Sequence, residues 1–203
     1  MLKYAAENLR DFGLRGFHLR LSAALNVYRE LGFYACTRPE LREAKIPLSF
    51  SILRVDELDE YCALRPNWER RQAEVRLNCG GKCMLARYNG VISGFVWAME
   101  KGDRSDYISR DIPPHPDEIY LADTFTQPSY RGQGVSTAVI SQCCRMYFDA
   151  GKKRATAAIL RYNGASIRAF EKAGFRLAAR RGYLGIGTWR QNFDRPVDNG
   201  DCL

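Results

Sequence analysis

The residue types best suited to chemistry in this sequence lie in a glycine-rich stretch at 128–136, Pro-Ser-Tyr-Arg-Gly-Gln-Gly-Val-Ser. It joins a predicted strand to a predicted helix. The first N–H groups of a helix have no intrahelical acceptors, and glycines let a ligand approach the backbone closely. With the helix dipole, such a turn can bind phosphate or pyrophosphate. The stretch contains neither the Gly-Lys-Ser/Thr of a nucleotide triphosphatase loop nor the Gly-x-Gly-x-x-Gly of dinucleotide-binding folds.

The surrounding pattern predicts the elements that position this turn. Two apolar, β-rich runs flank Asn89-Gly90, the dipeptide typical of a two-residue hairpin turn. The predicted strands are 48–55, 82–88, 91–99, 118–126, 154–160, one that opens at Phe175, and 182–193. The predicted helices are a short one capped by Asp56, one from Asn67 to about Leu77, 133–150 and 165–173, and 101–117 is a long polar loop.

Three regions are predicted along the chain: a helical extension at 1–46, a main domain at 47–193 and a polar tail at 194–203. In the extension, apolar residues recur at helical spacing over 21–31, and Gly32 can end that helix. We favour an interpretation in which this helix packs on the main domain or on a second subunit, as in a homodimer. Its basic, amphipathic character leaves open a contact with a membrane surface or a carrier protein.

The glycine-rich stretch at 131–136 and a second stretch at 163–175 together resemble the GCN5-related N-acetyltransferase (GNAT) superfamily. Arg131, Gly134 and Ser136 follow the family's acetyl-CoA motif, Arg/Gln-x-x-Gly-x-Gly/Ala, with Ser136 in place of the last small residue. The stretch from Asn163 through Phe170-Glu-Lys-Ala-Gly-Phe is similar to a second family segment. The resemblance covers 47–193. It implies an α/β (α+β) fold with a mixed, mostly antiparallel central sheet that splays at the cofactor site and has helices on both faces.

The resemblance also implies where acetyl-CoA, or another acyl-CoA, would bind. The pantetheine arm would lie between the strands 118–126 and 154–160, and the pyrophosphate would lie on the amides of 131–136. The implied cofactor-binding residues are Thr124, Phe125, Thr126, Arg131, Gly132, Gln133, Gly134, Val135, Ser136, Asn163 and Phe170. Asn163 as a helix cap alone, and Phe170 as plain core, are the alternative interpretations.

Acyl transfer from a thioester to an amine requires a neutral amine, a polarised carbonyl and correct alignment of the two. Glu118 is the first candidate for the base, because the resemblance matches it to the catalytic glutamate of histone-acetylating members; an exposed strand-end glutamate is the alternative. Asp123 is the second candidate. Because side chains alternate along a strand, Asp123 is expected on the face opposite to that of Glu118, unless a bulge reverses the alternation. Phe170 stands where the resemblance gives many members a tyrosine that protonates the leaving thiolate. Tyr162, Tyr183 or water can take that role, or the thiolate leaves without an acid, since a thiol is already a good leaving group.

Composition restricts the other classes of function. The chain has seven cysteines without paired metal spacing and only two histidines, so we expect no metal site and no Ser-His-Asp chemistry. No apolar run reaches the roughly 18 residues of a membrane span, and the charged N-terminus is unlike a signal peptide, which predicts a cytoplasmic protein. No nucleic-acid recognition motif is present, and nucleic acid is not an expected partner.

The distribution of net charge along the chain indicates which charge an acceptor would carry. Residues 151–203 carry a net charge of +7 within a chain total of +8. Arg180, Arg181 and Arg190 therefore favour an amine acceptor that carries a carboxylate or phosphate, although they can equally be solubilising surface charge. The leading hypothesis is a CoA-dependent N-acetyltransferase. The alternatives are a longer-chain acyltransferase using acyl-CoA or an acyl-carrier protein, and a non-catalytic CoA-binding regulatory protein.

Overall fold

The computed structural model of this protein describes residues 27–64, 70–105, 107–186 and 189–197. Its strands are β1 (Tyr28–Cys36), β2 (Ser49–Ile52), β3 (Lys82–Tyr88), β4 (Val91–Met99), β5 (Asp103–Ser105), β6 (Arg110–Ile112), β7 (Glu118–Thr126), β8 (Arg154–Leu160), β9 (Arg176–Ile186) and β10 (Trp189–Pro196). Its helices are α1 (Leu58–Ala63), α2 (Arg70–Asn78), α3 (Val135–Asp149) and α4 (Gly164–Lys172). Two short 3-10 turns, Val55–Glu57 and Pro128–Tyr130, precede α1 and α3.

Eight strands form one mixed sheet in the order β10-β9-β1-β8-β7-β4-β3-β2. Only β7 and β8 are parallel neighbours; the other adjacent pairs in this sheet are antiparallel. Strands β5 and β6 form a separate two-stranded ribbon. The α/β fold class with a mostly antiparallel sheet, predicted from the sequence, is confirmed.

Helices cover both faces of the sheet, and each face has its own apolar core. One core lies beneath α3 and α4 and includes Val139 and Phe170. The other lies beneath α1, α2 and the β5–β6 ribbon and includes Tyr61, Trp97 and Ile108. We refer to these two sides as the α3–α4 face and the α1–α2 face. None of the helices in the described ranges is long and apolar enough to cross a membrane.

Strand β1 corrects one sequence-based prediction. The helix predicted over 21–31, with Gly32 as its end, is wrong from Tyr28 onward, because Tyr28–Cys36 is a strand between β8 and β9. An interior strand is buried on both faces and therefore has a continuous apolar run without a clear period. Part of the predicted 1–46 extension thus belongs to the central sheet. The membrane or carrier contact was predicted for 1–46 and the dimer contact for the helix ending at residue 31; residues 1–26 of these segments lie outside the described residues.

The C-terminal region differs from its prediction in a similar way. The single strand predicted over 182–193 is instead two strands, β9 and β10, paired as an antiparallel hairpin. Strand β10 continues to Pro196, so the polar tail predicted from residue 194 begins with strand. The loop predicted over 101–117 contains the β5–β6 ribbon, and Arg110 of that ribbon forms a 2.8 Å ion pair with Asp194 of β10.

Candidate active site

A gap opens in the middle of the sheet, where β7 and β8 diverge. The two strands pair in parallel only from Glu118↔Arg154 to Leu121↔Ala157. Beyond that point β7 follows β4, and β8 follows β1. The facing edges of the two strands therefore lack sheet partners across the gap. Their backbone N–H and C=O groups are available to an extended ligand.

A bulge in β7 lies at the point of divergence. Asp123 has a φ of 45°, and the register with β4 shifts between Phe95 and Trp97. The bulge turns the carboxylate of Asp123 toward the α1–α2 face, where it forms a 3.0 Å ion pair with Arg76 of α2. The guanidinium of Arg76 lies 5.4 Å from the ring centroid of the buried Trp97. The bulge thus reverses the alternation of side chains along β7 at Asp123.

The glycine-rich turn forms a cradle of backbone amides at the start of α3. Gly132 and Gly134 have φ values of 78° and 83°, in the left-handed region where a side chain would be strained. Gly134 is the residue that precedes the helix, and no side chain of the described residues caps it. The first N–H groups of α3 therefore lack intrahelical acceptors and point out of the helix start.

The cradle and the gap open into one cavity of about 900 Å³ on the α3–α4 face. Three basic side chains, Arg131, Arg168 and Lys172, contribute to its wall. Its remaining lining residues are Thr124, Phe125, Thr126, Tyr130, Gly132, Gly134, Val135, Ser136, Thr137, Tyr162, Asn163, Gly164, Ala165, Ser166 and Ala169. Helix dipole, unpaired amides and basic side chains together favour an anionic ligand with several charges.

A strap, residues 37–47, fixes the two helices that border the cavity. The Lys45 N–H donates to the Gln133 carbonyl (2.8 Å), and the Arg42 N–H donates to Ser141 Oγ of α3 (3.2 Å). The side chain of the same arginine reaches the second helix: the Arg42 Nε donates to the carbonyl of Lys172, the last residue of α4 (3.1 Å). The strap carries no motif that sequence reasoning could have recognised.

Most of the implied cofactor-binding residues lie together in the cavity wall, but two do not. The carbonyl of Gln133 is directed to the strap. Phe170 is 3% exposed and packs edge-on against Phe175, with 5.0 Å between ring centroids, so it is a core residue. Asn163 lines the cavity and also caps α4, because its Oδ1 accepts from the Ser166 N–H at 3.1 Å.

The two candidate bases are far apart. Glu118 lies at the paired end of β7, where its carboxylate accepts hydrogen bonds from Arg154 (3.0 Å) and from the His115 N–H (3.2 Å). Six residues separate it from Thr124, roughly 20 Å of extended strand. The structure therefore does not bring Glu118 to the cavity, whereas Asp123 lies directly where the strands diverge.

The tyrosines considered as acids also differ in position. Tyr162 lines the cavity and is hydrogen-bonded to Tyr107, which packs on the α1–α2 face. Burial raises the pKa of Tyr107 above its ordinary value, and the hydrogen bond with Tyr162 raises it further. Tyr183 is fully buried. Tyr107, Arg168 and Lys172 were not predicted as site residues. Tyr107 lies in a loop without a motif, and Arg168 and Lys172 lie in the second family-like segment, of which only Asn163 and Phe170 were assigned to the site.

The described residues contain no group of three or more His, Cys, Asp or Glu side chains that could hold a metal ion. Cys83, Cys143 and Cys144 are free and buried, and burial raises the pKa of each thiol. These thiols stay protonated near neutral pH, which is typical of structural cysteines.

Comparison with known proteins identifies the family. The acetyltransferase (GNAT) family matches residues 49–175, which is more than half of the sequence. The chain therefore belongs to the GNAT acetyltransferase family. No curated protein sequence matches it.

Solved structures with the same fold are distant in sequence. A GNAT-family protein from Novosphingobium aromaticivorans is 18% identical with a TM-score of 0.54, and the match covers 75% of this chain and 61% of that one. A GCN5-related N-acetyltransferase from Kribbella flavida is 14% identical with a TM-score of 0.56, covering 93% and 66%. The aminoglycoside acetyltransferase AAC(6')-Iy, bound to CoA-S-monomethyl-acetylneamine, is 19% identical with a TM-score of 0.51, covering 64% and 91%. The chain thus spans less than two thirds of the first two structures.

Proposed function

We propose that this protein is a CoA-dependent N-acyltransferase, with acetyl-CoA as donor and a primary amine as acceptor. The observation that carries the proposal is the single cavity that joins the diverging edges of β7 and β8 to the amide cradle of α3. An extended arm that ends in a pyrophosphate fits these two features in the order in which they occur along the cavity. The bisubstrate complex of AAC(6')-Iy supports the same class of ligand for a related fold.

The residues present suit the charges of CoA. The cradle amides and Arg131 would bind the pyrophosphate, and Arg168 and Lys172 of α4 are placed for its remaining phosphate. The thioester brings an acyl group that is already activated, so the protein needs no covalent intermediate. The protein has to align the amine with the acyl group, accept a proton from the amine and supply a proton to the departing sulfur.

We assign those two protons to Asp123 and Tyr162. The carboxylate of Asp123 is on the α1–α2 face, opposite the cavity, where an amine could enter the gap and lose a proton to it directly or through water. Tyr162 lines the cavity, and its hydroxyl could give a proton to the departing sulfur. Between the two carboxylates predicted from the sequence, we therefore propose Asp123 as the base.

The substitution Ser136→Glu tests the cradle. A carboxylate in the first turn of α3 interacts favourably with the helix dipole, so the fold should retain its stability. The same carboxylate would repel the pyrophosphate, and we expect the affinity for acetyl-CoA in calorimetric titration to fall roughly tenfold or more. Ser136→Gln, which has the same size and no charge, is the matched control and should bind much more tightly than Ser136→Glu.

Equal affinities for the two variants would contradict the assignment of the cradle to phosphate. If the unchanged protein binds a long-chain acyl-CoA and not acetyl-CoA, the longer-chain transferase is the right function. Binding of acetyl-CoA without transfer to any amine would instead support a non-catalytic CoA-binding protein.

A further inference from the structure

The α1–α2 face beside the gap carries an excess of positive charge that the proposed base and acid do not use. Arg76 is paired with Asp123, and both Arg110 and Arg181 face the single carboxylate of Asp194, at 2.8 and 3.9 Å. Arg190 makes no ion pair with any residue that the structure describes; its guanidinium lies 4.7 Å from the ring centroid of Tyr183.

Strand register brings a second arginine next to Arg190. Arg29 of β1 is directly opposite Tyr183 of β9, so the two side chains lie on the same face as near neighbours. The ring that supports Arg190 is therefore adjacent to Arg29. Tyr183 is fully buried, which makes it a rigid platform and not a ligand-binding group.

Tyr107 packs on Arg29 and connects it to the cavity. The Arg29 Nη1 donates to the Tyr107 carbonyl at 3.0 Å, and the Arg29 guanidinium lies 5.2 Å from the Tyr107 ring centroid. The hydroxyl of Tyr107 is hydrogen-bonded to Tyr162, which lines the cavity. The guanidinium of Arg29 is thus separated from the cavity wall by little more than the side chain of Tyr107, and Arg190 lies beside it on the ring of Tyr183.

Arg180, in contrast, lies on the α3–α4 face, away from Arg29 and Arg190. It is next to Arg181 in β9, but its charge acts on Tyr34, which packs in the core beneath α3 and α4. Arg181 and Arg190 contact Phe33 and Tyr183, on the α1–α2 face. Of the three arginines proposed from the sequence to attract an anionic acceptor, Arg180 therefore lies on the wrong side of the sheet.

We propose that Arg29 and Arg190 bind an anionic group, a carboxylate or phosphate, on the amine acceptor. Guanidiniums bind both oxyanions with charge-assisted hydrogen bonds. The anion would lie on the outer side of Tyr107, and the amine would extend past it toward Asp123 and the gap. This inference rests on the proposed N-acyltransferase function, since it identifies the acceptor of that same site.

The test compares acceptors that differ only in the anionic group. 4-Aminobutyrate is paired with butylamine, and phosphoethanolamine with ethanolamine, at saturating acetyl-CoA. We expect kcat/KM to be at least roughly tenfold higher for the anionic member of one pair, and the preferred pair distinguishes carboxylate from phosphate. Equal rates within both pairs would overturn the proposal.

Substitutions of single arginines test which side chains cause the preference for an anionic acceptor. Arg190→Gln, on the exposed strand β10, and Arg29→Gln should raise KM for the anionic amine roughly tenfold with little change in kcat, and leave KM for acetyl-CoA unchanged. Arg29→Lys should recover part of the loss. Arg180→Gln removes the same charge from the opposite face and is the matched control; an equal effect from this variant would show that only general charge attraction is involved.

Direct binding keeps this inference separable from the proposed function. Titration of 4-aminobutyrate and of phosphoethanolamine into the protein, with and without acetyl-CoA, measures the acceptor site without turnover. If acetyl-CoA binds and neither anionic amine binds or reacts, the anion site is wrong while the function stands. If acetyl-CoA does not bind but an anionic amine binds in a manner lost in Arg190→Gln, the proposed function fails and the anion site remains.

Discussion

At the scale of single residues, the backbone of Asp123 decides which carboxylate faces the gap. A non-glycine residue at positive φ is uncommon, and Asp and Asn are among the residue types that tolerate it best. The bulge that contains Asp123 places its side chain beside Arg76, while Glu118 stays at the paired end of the strand. Alternation along β7 could not predict this, because a bulge adds one residue that the sequence pattern does not mark.

Asp123→Asn separates the chemistry of this residue from its conformation. Asparagine accepts the same φ but cannot take a proton, so the fold should be retained while kcat falls by about 100-fold or more in a steady-state acetyl-transfer assay. Circular dichroism and acetyl-CoA binding of the variant check that the site is intact. If Glu118→Gln loses activity and Asp123→Asn keeps it, the base is Glu118, as the sequence first indicated.

At the scale of elements, the close approach of β1 to β9 holds one half of the gap in place. Gly182 of β9 is opposite Glu30 of β1, and a Cβ at Gly182 would lie 2.0 Å from the Arg29 carbonyl oxygen. That contact is with backbone, which cannot turn away as a flexible side chain would. Strand β1 in turn supports β8, since Leu31 pairs with Leu160 at the end that borders the gap.

Gly182→Ala should therefore force β1 and β9 apart. We expect a loss of roughly 1–3 kcal/mol in the free energy of unfolding, measured by urea denaturation, which is the usual cost of overpacking. Gly164→Ala is the matched control: its new Cβ would meet only the far end of the Arg168 side chain, at 3.1 Å, and alanine favours the helix. Equal midpoints for the two variants would show that the sheet adjusts without cost at Gly182.

At the scale of the whole molecule, several ion pairs join segments that are distant in sequence, and in three of them the pKa of the carboxyl is lowered. The carboxyls are Glu60, Asp117 and Asp194, held by Arg87, Lys153 and Arg110 respectively. The hydrogen bond from the basic partner lowers the pKa of each carboxyl below its ordinary value. A lowered pKa in the folded state contributes stability above the unfolded-state pKa, and this contribution is lost as the pH falls through the folded-state pKa.

The free energy of unfolding should therefore fall as the pH is lowered from about 5 through the carboxyl range. Urea denaturation at several pH values measures the slope. Asp194→Asn should make the slope shallower, by no more than about 1 kcal/mol in total because the pair is partly exposed. A slope unchanged in this variant would mean that the Arg110–Asp194 pair contributes nothing to folding.

The sequence predicted the parts of this fold that local pattern determines. Strands β3, β4, β7 and β8 have the predicted bounds, and α3 and α4 begin and end within two residues of theirs. The glycine-rich turn was likewise predicted, from glycines whose positive φ the cradle requires. Strand β1 and the cluster of Tyr107 with Arg29 were not predicted, because both depend on pairing between residues far apart in the chain.

The interior position of β1 has a consequence for folding kinetics. Glu30 and Arg161, joined by an ion pair at the end of β1 and β8, are 131 positions apart. Contacts of such separation close late, because the entropy of a long loop must be lost before they form. During synthesis β1 cannot pair until β8 and β9 have left the ribosome, and until then its apolar run Leu31–Cys36 is exposed. Aggregation of nascent chains, and chaperone dependence, should therefore be most sensitive to changes in this strand.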